Sequence, residues 1–205
     1  MKQYPSIPKK PVGESTVFWA FDKIDGSNIR AEWTKKKGFC KFGSRHRLLG
    51  TDQGVLAKAE PLAKLQEDKF SFYFKKMRID KATVFFEFHG PNSFAGNHLE
   101  TDEHQLSLID VDIAGNGLID PKDFNEIFEM AEFNTAKLLY IGPIDEVFVK
   151  QVRNGTLKGM TFEGVVCKAR RNKRFEEATM FKIKNDAWIT KVKSSFDPSL
   201  WETLL

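Results

Sequence analysis

Cysteine is nearly missing from this chain: Cys40 and Cys167 stand far apart, and no CxxC pair occurs among its 205 residues. Neither a disulfide framework nor a zinc site is readable from that spacing, and both thiols are expected to pack as small hydrophobes. Long apolar runs are missing too. Nothing approaches the ~20 residues a membrane helix needs, and the opening MKQYPSIPKKP lacks the apolar stretch of a secretory signal. No membrane partner is expected, and the expected location is cytoplasmic. Repeats, low-complexity segments and Gly/Ser-rich linkers are also lacking, so one domain spanning 1–205 is the expected organisation. Polar aromatics are scarce, with three Tyr and four Trp against nineteen Phe, so the core is expected to consist largely of rings with no polar group to satisfy.

Hydrophobic residues make up 41% and charged residues 29%, which excludes a disordered tail protein or a collagen-like fibre. The net charge of +4 is unevenly spread. Residues 150–205 carry twelve Lys and Arg against six Asp and Glu, whereas residues 1–149 carry twenty against twenty-two. A basic last quarter suits a nucleic-acid or polyphosphate contact face, or simply a solvated surface.

Six runs read as strands because they are rich in β-branched and aromatic residues and bounded by Gly, Asn or charge: 16–22, 28–33, 82–88, 105–113, 162–168 and 178–184. Phe70, Tyr73, Phe74 and Met77 fall on one helical face, and 55–65 reads helical with an irregularity at Pro61. Asp120 and Pro121 form an N-cap and first-turn pair ahead of Phe124, Ile127, Phe128 and Ala131, and a further short helix is expected from Pro143. Without strict βαβ alternation, the expected class is α+β with largely antiparallel sheets.

Between the first two strands lies KIDGSN, Lys23 to Asn28, which alone reads as an ordinary hairpin turn. Its company changes that reading. In order follow Ser44-Arg45, FFEFHG with Glu87, LIDVDI at 108–113, FEGVVCK with Glu163, and KIK with Lys182 and Lys184. On a strand, residues two apart share a face, so Lys182 and Lys184 project together while Phe181 and Ile183 enter the core. Such a pair fits a phosphate clamp.

This ordered set resembles the covalent nucleotidyltransferase superfamily of polynucleotide ligases and mRNA capping enzymes, and within it the nick-sealing RNA ligases, over about residues 16–184. Asn28 and the position of Arg30 favour the RNA-ligase variant. The resemblance implies an adenylation domain of largely antiparallel sheets with flanking helices, an ATP-grasp-like ligase core, acting on RNA or nicked duplex nucleic acid. It implies that Lys23, in the turn with Asp25 and Gly26, attacks the α-phosphate of ATP to form lysyl-AMP. Asn28, Arg30, Arg45 and Glu87 would then hold the adenylate, Glu163 would order Mg²⁺ or Mn²⁺, and Lys182 and Lys184 would face the phosphates. A free lysine has a pKa near ~10.4, so Lys23 is expected to be made neutral by Lys182, Lys184 and the metal. Ile109 stands where the family commonly has an aromatic that stacks on adenine, an interaction worth ~1–3 kcal/mol per base.

The run KARRNKR (168–174), with Lys168, Arg170, Arg171, Lys173 and Arg174, is the expected nucleic-acid contact. A monomer is expected, with a partner as a possible source of a duplex-clamping C-terminal domain. Two rivals stand beside this reading: a minimal DNA ligase or other nucleotidyltransferase, and a binding module of the same fold without catalysis. Asp112, Asn116, Gly117, Ile119, Asp120 and Asp123 also match a calcium loop, but Ala114 occupies a ligand position, Asp123 replaces the bidentate Glu, and a strand precedes it where a helix is required.

Overall fold

The computed structural model describes residues 1–10, 17–50, 54–91, 93, 99, 101–170 and 179–205. Two antiparallel sheets carry the fold. The first, in the order β7-β1-β8-β9, contains β1 (Phe18–Asp22), β7 (Leu138–Gly142), β8 (Gly164–Ala169) and β9 (Met180–Lys184). The second, in the order β3-β2-β4-β5-β6, contains β2 (Ser27–Thr34), β3 (Gly38–Ser44), β4 (Lys81–His89), β5 (Gln105–Ile113) and β6 (Gly117–Leu118). β1 and β2 therefore lie in different sheets. Lys23 to Gly26 is the crossing between them and not the turn of a hairpin. Glycine is required there because a Cβ on Gly26 would overlap the Phe88 carbonyl of β4.

The second sheet packs its apolar face on α1 (Ala59–Lys64), α2 (Glu67–Lys76) and α3 (Pro121–Phe124), the last continuing as a π-helical turn over Asn125–Glu129. Phe70 is fully buried and its ring meets those of Phe39, Phe74, Phe86, Phe128 and Phe133 at 4.5–6.2 Å. The phenylalanine-rich composition thus becomes one contiguous cluster, each ring pair worth ~0.5–1.5 kcal/mol beyond the area it buries. The first sheet packs on α4 (Glu146–Arg153), while α5 (Asp186–Ser195) and α6 (Trp201–Leu204) close a smaller cluster around Trp188.

Pro61 sits inside the first turn of α1, where a missing N–H costs little, and the irregularity precedes it as a 3₁₀ turn over Gly54–Lys58. Asp120 caps α3 through the Lys122 amide. The helix expected from Pro143 begins at Glu146, because the Asp145 carboxylate accepts from Phe148 N and fixes the start. Asp112 is ion-paired with Lys2 and Asp120 is engaged as the cap, so these two acidic residues of the calcium-loop pattern serve the fold.

Candidate active site

Strand order brings the chemistry together. Lys23 follows β1, Glu163 precedes β8 and Lys184 ends β9; because β1, β8 and β9 are antiparallel neighbours, all three fall at one end of the first sheet. The backbone is laced there, with Lys23 N donating to Gly164 O at 2.9 Å and Asn185 N to Glu163 O at 3.0 Å. A Cβ on Gly164 would overlap Ile183 O, so this close approach also requires glycine. In the second sheet Asn28 lies opposite Glu87. A cavity of about 680 Å³ between these groups is lined by Lys23, Asp25, Gly26, Asn28, Arg45, Glu87, Ile109, Glu163, Lys182 and Lys184.

The Glu163 carboxylate, only 6% exposed, accepts from Lys23 Nζ at 2.9 Å through one oxygen and from Lys184 Nζ at 3.0 Å through the other. Lys184 also donates to Leu204 O at 2.7 Å and lies 3.8 Å from the centroid of the Trp188 ring. Burial pulls Lys184 down to about 8, with Glu163 opposing and Lys23 and Lys182 assisting. Burial also lowers Lys182, assisted by Lys23, Lys9 and Arg45 and opposed by Glu163. Lys23 behaves in the opposite way to the sequence expectation. Burial acts to lower it, but Glu163, Glu87 and Asp25 together outweigh burial and raise it. The carboxylates around Lys23 outweigh both its burial and the cations expected to neutralise it. Burial, with Glu163 and Asp25 beside it, pushes Glu87 up to about 8 against the pull of Lys23 and Arg45.

The N-terminal segment forms one wall of the cavity, which the sequence reading missed. Tyr4, Pro5, Ser6 and Ile7 line it. Tyr4 Oη donates to Asp110 Oδ2 at 3.0 Å and its ring packs on Phe85. Ser6 Oγ accepts from Arg45 at 3.3 Å, and Pro8 O accepts from Lys182 N at 2.9 Å. Arg30, expected to hold the adenylate, is instead 5% exposed and donates to the carbonyls of Ser44, Met1 and Lys2. Its guanidinium is committed to fastening this strap.

Lys168 also departs from expectation. It lies within β8, 8% exposed in its side chain, donating to Asp110 Oδ2 at 2.8 Å and Ile109 O at 2.7 Å. Its position in the paired strand, one place before the last residue of β8, turns it inward beneath Ile109. Arg170 is exposed and pairs with Asp120 at 3.2 Å. Arg171, Lys173 and Arg174 lie outside the described residues. Ile109 itself is half-buried against the cluster of Phe85, Leu118 and Met180, on which Tyr4 and Ile7 also pack.

Two polar atoms at the cavity are buried without a hydrogen-bond partner among the described residues: Asn28 Oδ1 and Trp188 Nε1. Buried polar groups are normally satisfied, so such orphans mark places where a ligand would complete the bonding. Trp188 had no sequence signal beyond lying four residues after Lys184. For a divalent cation, no group of three or more His, Cys, Asp or Glu forms a cage among the described residues. Glu163 offers one hard carboxylate donor in a cavity of about 680 Å³, which fits a Mg²⁺-like ion that keeps several waters and takes phosphate oxygens.

Comparison with solved structures gives a shared fold at low identity. An RNA ligase of Naegleria gruberi with PPi matches with a TM-score of 0.62 at 16% identity, over 87% of this chain and 52% of that one. A variant of that ligase, with ATP and Mn, matches with a TM-score of 0.61 at 17% identity and the same coverage. An archaeal ATP-dependent RNA ligase matches with a TM-score of 0.64 at 14% identity, over 100% of this chain and 60% of that one. The chain thus spans about half the length of the structures it matches. No curated protein matches the sequence. The RNA ligase family model matches residues 16–184, which carry both sheets and every strand end around the cavity, and on that match the chain belongs to the RNA ligase family.

Proposed function

We propose that this protein is an ATP-dependent polynucleotide ligase that adenylylates itself on Lys23 and joins RNA ends. The observation that carries this reading is the Glu163 carboxylate wedged between Lys23 and Lys184 in a cavity with two unsatisfied polar atoms. A purely binding module has no use for a buried lysine-carboxylate-lysine arrangement, because burying charges costs free energy.

In the proposed first step Lys23 Nζ attacks the α-phosphorus of ATP. An N–P bond forms, the bond to the bridging oxygen of pyrophosphate breaks, and pyrophosphate leaves. Lys23 is held protonated by its carboxylate neighbours, so it must lose its proton to solvent before it attacks. Lys182 and Lys184 are placed to stabilise charge on the phosphate oxygens, a contact that strengthens as the transition state forms. Asn28, Arg45 and Glu87 line the wall proposed to hold the sugar and phosphate. Glu163 would hold the divalent ion, Mg²⁺ or Mn²⁺, which when bound neutralises charge on the departing pyrophosphate. AMP then passes to a 5′-phosphate end, and a 3′-OH attacks that phosphorus to join the strands and release AMP.

The test is incubation with α-labelled and, separately, γ-labelled ATP, followed by denaturing electrophoresis. The α label is expected on the protein and the γ label is not, and Lys23→Ala is expected to remove the adduct. An adduct that persists in folded Lys23→Ala protein would overturn the assignment of the nucleophile. Sealing assays on RNA and DNA nicks with the same protein distinguish an RNA ligase from a minimal DNA ligase.

A further inference from the structure

A second cavity, of about 750 Å³, opens along the outer edge of β9 between α4 and α5. Ile144, Val149 and Ile189 contribute to an apolar floor, and Lys9, Arg153, Lys182, Lys184 and Lys193 line it with a single acidic side chain, Asp186. Among the described residues, Lys9, Arg153 and Lys182 have no carboxylate in ion-pair reach. Like charges gathered in excess of their counter-charge repel one another, and the arrangement gains free energy when an anion enters. Lys182 lines both this cavity and the adenylate cavity, so the two adjoin at β9.

The cations suit phosphate. Inorganic phosphate or the tail of ATP, however, has no use for the apolar floor, whereas a base or sugar does. The run 168–174 is also less available for strand contact than the sequence suggested, because Lys168 is buried and Arg170 is paired. We propose that the groove beside β9 binds one nucleotide of a polynucleotide strand, its phosphate against Lys9, Arg153 and Lys193 and its base against Ile144, Val149 and Ile189. This rests on the ligase reading and names where that ligase holds its strand.

The test titrates a short, labelled, 5′-phosphorylated RNA strand without ATP across a series of salt concentrations. The proteins are the full chain and its Arg153→Ala/Lys193→Ala variant. At ~0.7 per phosphate of a single strand, losing the hold on this one phosphate should flatten the log–log salt slope by up to about 0.7 and weaken binding. Adduct formation from α-labelled ATP should stay unchanged, which also establishes that the variant is folded. An unchanged slope overturns the proposal. So does a raised KM for ATP in adduct formation, which would give the groove to the tail of ATP, or equally tight binding of inorganic polyphosphate of matched charge. Because the titration needs no ATP, it decides this inference separately from whether lysyl-AMP forms.

Discussion

Glu163 shares its two oxygens between two lysines, and this governs which substitutions are informative. Deleting a carboxylate that compensates two buried cations costs ~3–5 kcal/mol and would confound folding with chemistry. Lys23→Ala leaves Glu163 paired with Lys184, so loss of the adduct in that variant reports on chemistry. Glu87 offers a pH test. Its carboxyl is raised from 4.5 to about 8, so the folded chain keeps a proton that the unfolded chain has released. The resulting contribution to stability is fully present below 4.5 and is lost as pH rises through about 8, with a limiting slope of ~1.4 kcal/mol per pH unit between them. Glu87→Gln, which cannot ionise, should lose that slope, so its stability relative to wild type should rise across the window in urea titrations. Parallel pH profiles would contradict the raised value. These carboxylates and lysines were legible in the sequence as motif members, but the sign of the effect on Lys23 was not. It depends on Glu163 and Glu87 being brought to Lys23 from distant parts of the chain, which linear spacing does not encode.

At the scale of elements, strands with strong β-branched and aromatic runs were legible, and 105–113 coincides with β5 residue for residue. Three strands were not. β3 carries two glycines and pairs with β2 across an irregularity between Glu32 and Trp33, which breaks the period of two. β6 has two residues, and β7 is an edge strand with no buried residue. The helix at 186–195 mixes Ile, Thr and Val with charge, and its beginning is set by Asn185, whose side chain accepts from two amides of the first turn. The N-terminal strap was illegible for another reason: its hold comes from partners far along the chain, Arg30, Asp110, Asp112 and Lys182. Arg30→Ala should therefore destabilise the fold by about 2 kcal/mol in urea unfolding, since it orphans carbonyls of Ser44, Met1 and Lys2. A variant of wild-type stability with weakened ATP binding would return Arg30 to the nucleotide.

For the whole molecule, the cleft between two sheets was not legible, because KIDGSN reads as a hairpin until β1 and β2 are seen in different sheets. The covalent crossing at Lys23–Gly26 joins the sheets on one side of the cavity. On the other side the strap runs from the second sheet, at Asp112 and Asp110, to the edge of the first at Lys182. The Lys182 amide points out of its sheet, and its acceptor is Pro8 O, not a strand. Its hydrogen exchange therefore reports detachment of the strap, while the amides of Phe181 and Ile183, on the side of β9 that pairs with β8, report opening of the sheet itself. Removing residues 1–8 should accelerate deuterium uptake at Lys182 and leave Phe181 and Ile183 protected. The amide of one motif lysine is thus a built-in gauge of whether the two halves of the cleft are tied together.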